Sequence, residues 1–167
     1  MIYLCPAPEE PIDQGDLIAE CPVATVASLG ALTDTSAGVS ISPARVVVLT
    51  QTCDLANDKV VAANVAVVFD AQFLADAGVF KPADIKGPLR AGRVWGWYFL
   101  PAHAALGLPE MIVDFRRLHT VKLDVLRTLC AAGKRPGRVQ PLYREHLAKH
   151  FADTFSRIGL PRPYETL

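Results

Sequence analysis

The chain has 167 residues, of which 51% are hydrophobic and 20% charged. That is enough apolar surface for one domain with its own core, and too much for a disordered chain. Seventeen basic residues balance seventeen acidic ones, so no global field draws the protein to nucleic acid or to a membrane, and any polyanion must be held by a local site.

The opening MIYLCPAPEEPIDQGD lacks a basic n-region, and prolines and acids interrupt its apolar start, unlike a signal peptide. No apolar run reaches bilayer length, so a cytoplasmic location without membrane attachment is expected. Residues 1–14 read as an extended, proline-rich arm leading to Gly15. A first strand starts at Asp16 as DLIAE, and PVATVASL (22–29) pairs with it or continues it. Gly30 to Ser42 is polar and small, with too few large apolar groups for a core, and reads as a mobile surface loop.

RVVVLT (45–50) is the clearest strand, because three consecutive valines are stiff at χ1 and an unbroken apolar run implies burial on both faces. Gln51 to Asp58 reads as a turn, and Val60 to Phe69 as the next strand. Residues 71–77 suit one short helical turn ending at Gly78. RVWGWYFL (93–100) is an aromatic strand in which Gly96 suggests a bulge or a close backbone approach. MIVDFRRLH (111–119) is the last strand.

Two helices follow. The first has Thr120 as a candidate N-cap, spaces Leu123, Leu126, Leu129 and Cys130 along one side, and stops at Gly133. Lys134 to Arg138 reads as a basic, solvated linker. The second carries the stripe Tyr143, Leu147, Phe151, Phe155 and Ile158. The expected fold is α+β, with a small β-barrel of five to seven mostly antiparallel strands over residues 15–121 and helices over 122–167 packing on it.

Several strings occur in an order that resembles the MazF/PemK family of toxin endoribonucleases. QGDLI (14–18) resembles that family's opening strand, the stretch 30–42 stands where the family has a long loop, and Arg45 with VVVLTQ resembles its arginine-led strand. TCDLANDKVVAANVAVVFDAQ (52–72), VDFRRLHTVKLDVL (113–126) and the closing IGL (158–160) continue the likeness over most of the chain. The resemblance implies an SH3-like barrel that cleaves or binds single-stranded RNA in a toxin-antitoxin, stress or phage-defence system. It further implies a homodimer, an antitoxin or other protein partner, and no cofactor or metal.

It also implies a phosphate site at Arg45, Asp70 and Gln51. A guanidinium there would stabilise charge growing on a phosphate. Val46 stands where the family has proline, and Asp70 where it has threonine. A carboxylate facing a phosphodiester must act as a base or hold a metal to be tolerated.

Four cysteines, Cys5, Cys21, Cys53 and Cys130, lack CxxC spacing and read as free thiols, most of them small buried hydrophobes. TQTCDL (50–55) places Cys53 and Asp54 just past a buried strand, as a simple turn, as part of a binding rim, or as a thiol or soft-metal site with Cys21, His119 or Asp54. Arg117 and His119 fall on one face by strand alternation and could meet phosphate. His146 and His150, four apart, read as polar flanks of the helical stripe. A non-catalytic protein-binding module on the same barrel is the rival reading.

Overall fold

The computed structural model describes residues 2–28, 38–57 and 59–156. In chain order the elements are β1 (Tyr3–Leu4), β2 (Asp16–Ser28), β3 (Gly38–Val48), α1 (Thr52–Ala56), β4 (Ala62–Asp70), α2 (Ala71–Asp76) and α3 (Pro82–Asp84). A wide π turn (Ile85–Leu89) runs on from α3, and then come β5 (Trp97–Leu100), β6 (Met111–Lys122), α4 (Leu123–Ala131), β7 (Gly137–Val139) and α5 (Tyr143–Phe155).

The strands form one antiparallel sheet in the order β1-β7-β2-β3-β4-β6-β5. The fold is therefore α+β, as expected, and the sheet is barrel-like but open, with β1 and β5 at its edges. Among the described residues no helix is long and apolar enough to cross a membrane.

Both faces of the sheet are covered in part, which explains the unbroken apolar runs. On one face, here called inner, Leu17, Val47, Ala66, Val68, Met111, Val113 and Phe115 form a core closed by Leu147 of α5. On the outer face, Ile18, Val46, Val48, Ala63 and Val65 pack against Leu123, Leu126 and Cys130 of α4 and Leu55 of α1. A smaller outer core joins Ile112 and Trp97 to Leu74 of α2 and to Ile85 and Leu89 of the π turn. The three valines 46–48 are fully buried, alternating between the two faces.

Several expectations need correction. The stretch 30–42 is not a loop throughout: Gly38 to Ser42 belong to β3 and pair with residues 23–28 of β2 in a two-stranded arm, while residues 29–37 lie outside the described residues. Residues 51–58 are not only a turn, because Thr52–Ala56 close one α-helical turn. Thr120 does not cap α4. It lies within β6, where its hydroxyl donates to Asn64 Oδ1 at 3.0 Å, and Lys122 holds the cap position.

Lys134 to Arg138 is not a solvated linker either. Arg135 and Arg138 are buried and grip the carboxylate of Asp16, itself fully buried, through Nη1 at 3.1 Å and Nε at 2.6 Å. They also donate to main-chain carbonyls of the N-terminal arm, including Glu10 and Pro11. A buried charge needs such a partner, and the result is that the arm and β7 are locked to β2. Within the helical stripe, Leu147 is fully buried, whereas Tyr143 and Phe155 are exposed; Ile158 lies outside the described residues.

Candidate nucleic-acid interface

The residues singled out in the sequence fall into three places. Arg45 pairs with Val68 across β3 and β4, and Val68 belongs to the inner core. Asp70, two residues further along β4, shares that face. There Arg45 Nη1 and Asp70 Oδ1 form an ion pair, with side chains 27% and 46% exposed. Arg45 Nε is buried without a hydrogen-bond partner. Asp70 stands at the N-cap of α2 without capping it through its side chain. Its carboxylate is turned to the arginine instead.

Gln51, Cys53 and Asp54 lie at α1, beyond the end of β3. Cys53 is exposed, with Sγ 3.6 Å from Gln51 Oε1 and 3.8 Å from Asp54 Oδ1. Asp54 meets Lys59 at 3.7 Å. Leu49, Thr50, Gln51, Asp54, Asn64 and Phe151 outline a shallow depression there. Cys21 is buried in the outer core, away from this exposed turn. Among the described residues no three His, Cys, Asp or Glu side chains are placed to hold a metal.

Arg117 and His119 lie on the opposite face from Arg45, in the most developed of the three places. Asp114 pairs with Val67 and Leu118 with Ala66, so residues 115–117 of β6 have no counterpart on β4. This bulge re-aims the side chains it carries. Arg116 and Arg117 emerge from it, both exposed, above Asp114, which is 1% exposed.

The Asp114 carboxylate accepts the Arg116 backbone N–H at 3.0 Å, its Nε at 2.8 Å and its Nη2 at 3.0 Å. Arg117 Nε approaches it at 3.8 Å. Two guanidinium groups against one carboxylate leave a local excess of positive charge. The hydrogen bonds to Asp114 also hold the Arg116 guanidinium still more firmly protonated than usual.

Aromatic rings fix the two arginines from below. The Arg116 guanidinium lies 4.2 Å from the centre of the Trp97 ring, and that of Arg117 5.3 Å from Phe69. Such contacts orient a planar cation while leaving its edge available for hydrogen bonds. Gly96, with φ +78, lets the backbone pass beneath Arg116, since a Cβ there would sit 3.2 Å from Arg116 Cγ and Cδ.

In front of the arginines lies a trough of about 610 Å³. Val67 and Phe69 form its floor, with Arg116, Arg117 and His119 on one side and Thr25, Ser42 and Pro43 of the β2–β3 arm on the other. It occupies the strip of outer face between the part covered by α4 and the part covered by α2 and the π turn. It combines an apolar floor, a pair of oriented cations, an imidazole and two hydroxyls. That set can hold the phosphates and bases of a single strand.

Sequence reasoning found Arg117 and His119 but missed Arg116, Thr25 and Ser42. Alternation sets Arg116 and Arg117 on opposite faces, and only the bulge, which shifts the parity of β6 between Asp114 and Leu118, brings both to this one. Comparison of the chain with protein-family models and with curated proteins finds no match.

Proposed function

We propose that the protein binds single-stranded RNA along the trough of the outer face, with Arg116 and Arg117 on the phosphates and His119, Thr25 and Ser42 alongside. The observation that carries this reading is the arginine pair, anchored to one buried carboxylate and layered on two aromatic rings at the rim of an open, apolar-floored groove. Because the chain has no net charge, a local excess of this kind is what could attract a polyanion. The likeness to MazF/PemK toxins, and a place in a toxin-antitoxin, stress or phage-defence system, belong to the same proposal.

The reading is binding rather than cleavage. Arg45, the family's arginine position in this sequence, is engaged with Asp70 on the inner face, and both would have to separate before either could serve a phosphate. Fluorescence anisotropy with a labelled single-stranded RNA is the test. Arg117→Ala should weaken binding by about tenfold, the value of one charge-assisted contact, while Arg45→Ala leaves affinity unchanged and the RNA intact. Equal affinity for wild type and Arg117→Ala removes the proposal.

A second reading is favoured by the β2–β3 arm, whose Val26, Val39 and Ile41 are all more than half exposed. Register puts Val26 and Val39 opposite each other, with Ile41 on the same face. This strip suits a protein contact, a second copy of the chain included. Sedimentation of wild type beside Ile41→Lys tests it: a dimer that dissociates in the variant supports the contact, and a monomer in both removes the self-association.

A further inference from the structure

At the edge of the sheet, where β5 meets the start of α5, lies a cavity of about 510 Å³ that the RNA reading does not use. It is separate from the trough: Tyr98 of its wall points into the inner core, and its other walls include Phe99, Arg90, Pro101, Tyr143 and His146. The volume lies in the range of small-molecule sites, and the mixture of aromatic walls with few polar groups is typical of them.

The polar groups have partners of their own. Tyr98 Oη and His146 Nδ1 are 2.9 Å apart. When the phenol donates to Nδ1, the Nε2–H of the imidazole is left as a donor. Arg90 lies 5.0 Å over the Phe99 ring and is paired with Glu110, which stands outside the lining, so the far wall presents a guanidinium donor whose charge is already met. Tyr143 is 44% exposed, a phenol face with room for a flat partner.

We propose that this cavity binds a single nucleobase, stacked on Tyr143 and hydrogen-bonded by His146 and Arg90. A flat ring matches the aromatic walls, and the acceptors on its edge match the donors of His146 and Arg90. A purely anionic ligand would find the charge of Arg90 already met by Glu110, and a purely apolar one would leave His146 and Arg90 unmatched. The base comes either from a free nucleoside or from an unpaired position of a bound strand, and these two sources share the chemistry.

Calorimetry on the full chain with adenosine, guanosine, cytidine and uridine tests the first source, with indole as a flat ring lacking acceptors. Anisotropy with a labelled single-stranded RNA tests the second. Saturable binding of at least one nucleoside, or of the strand, should weaken by about tenfold in both Tyr143→Ala and His146→Phe, the size of effect seen when a base is deprived of its stacking or edge partner. The unfolding midpoint of each variant serves to verify its fold, and indole should bind at least about tenfold more weakly than the best nucleoside. Nucleoside and RNA binding that are both absent, or both indifferent to the two substitutions, would overturn the proposal, as would indole binding as tightly as the nucleosides. Arg117→Ala separates this site from the trough. It should leave nucleoside binding intact whether or not it weakens RNA.

Discussion

Asp114 decides the charge and the shape of the trough at once. Its buried carboxylate holds Arg116 by three hydrogen bonds and draws in Arg117. The substitution Asp114→Asn therefore separates two causes of RNA affinity. It makes the trough more positive, which alone would tighten binding, and it releases the arginines from their rings, which would weaken it. Positioning should win, so anisotropy should show weaker RNA binding, and chemical denaturation a loss of about 2–3 kcal/mol for the charge-assisted bonds removed. His150 provides a second residue-scale test. Burial, aided by the neighbouring His146, lowers its pKa in the fold. Below the ordinary histidine value the unfolded chain takes up a proton that the folded one refuses. Stability therefore falls as pH drops through about 6.5 towards the folded value. Denaturant midpoints across this range should show the decline, and His150→Gln should flatten it.

At the scale of elements, the bulge in β6 and the glycine before β5 act together. Gly96 accepts the Phe115 N–H at its carbonyl, 2.9 Å away, while its positive φ and missing side chain admit Arg116. Gly96→Ala should cost about 1–2 kcal/mol in thermal unfolding, because the left-handed backbone and the close approach are both penalised. It should also weaken RNA binding through the displaced arginine. Gly96 itself was legible, since a glycine between two tryptophans in an aromatic strand signals a close approach. The bulge was not, because VDFRRLH alternates acceptably on its own and the extra residues show only against β4. The same holds for β7. Arg135 and Arg138 read as solvated because the carboxylate that buries them, Asp16, is more than a hundred residues away. Asp16→Asn should therefore destabilise the protein by about 3–5 kcal/mol in denaturant unfolding, as expected when one partner of a buried ion network is removed. A change of under about 1 kcal/mol, the scale of an exposed pair, would show that the arm is not locked by this network.

Across the whole molecule, one sheet is covered on its inner face by α5 and on its outer face by two separate helical patches, and the strip between those patches is the trough. The α+β class and most strands were legible because valine runs and aromatic strands declare burial locally. The site was legible only in pieces. Family likeness drew attention to Arg45 and Asp70, which meet each other. Strand alternation drew attention to Arg117 and His119, which lie in the trough. Which group faces a partner depends on sheet register, and register is set by pairing between distant segments. The most direct test is the salt dependence of single-stranded RNA binding, compared between wild type and the Arg116→Ala, Arg117→Ala double variant. If both arginines sit on phosphates, the slope of log K against log salt should become shallower by about 1.4 in the variant, roughly 0.7 for each phosphate no longer neutralised. An unchanged slope with unchanged affinity would contradict RNA binding in this trough.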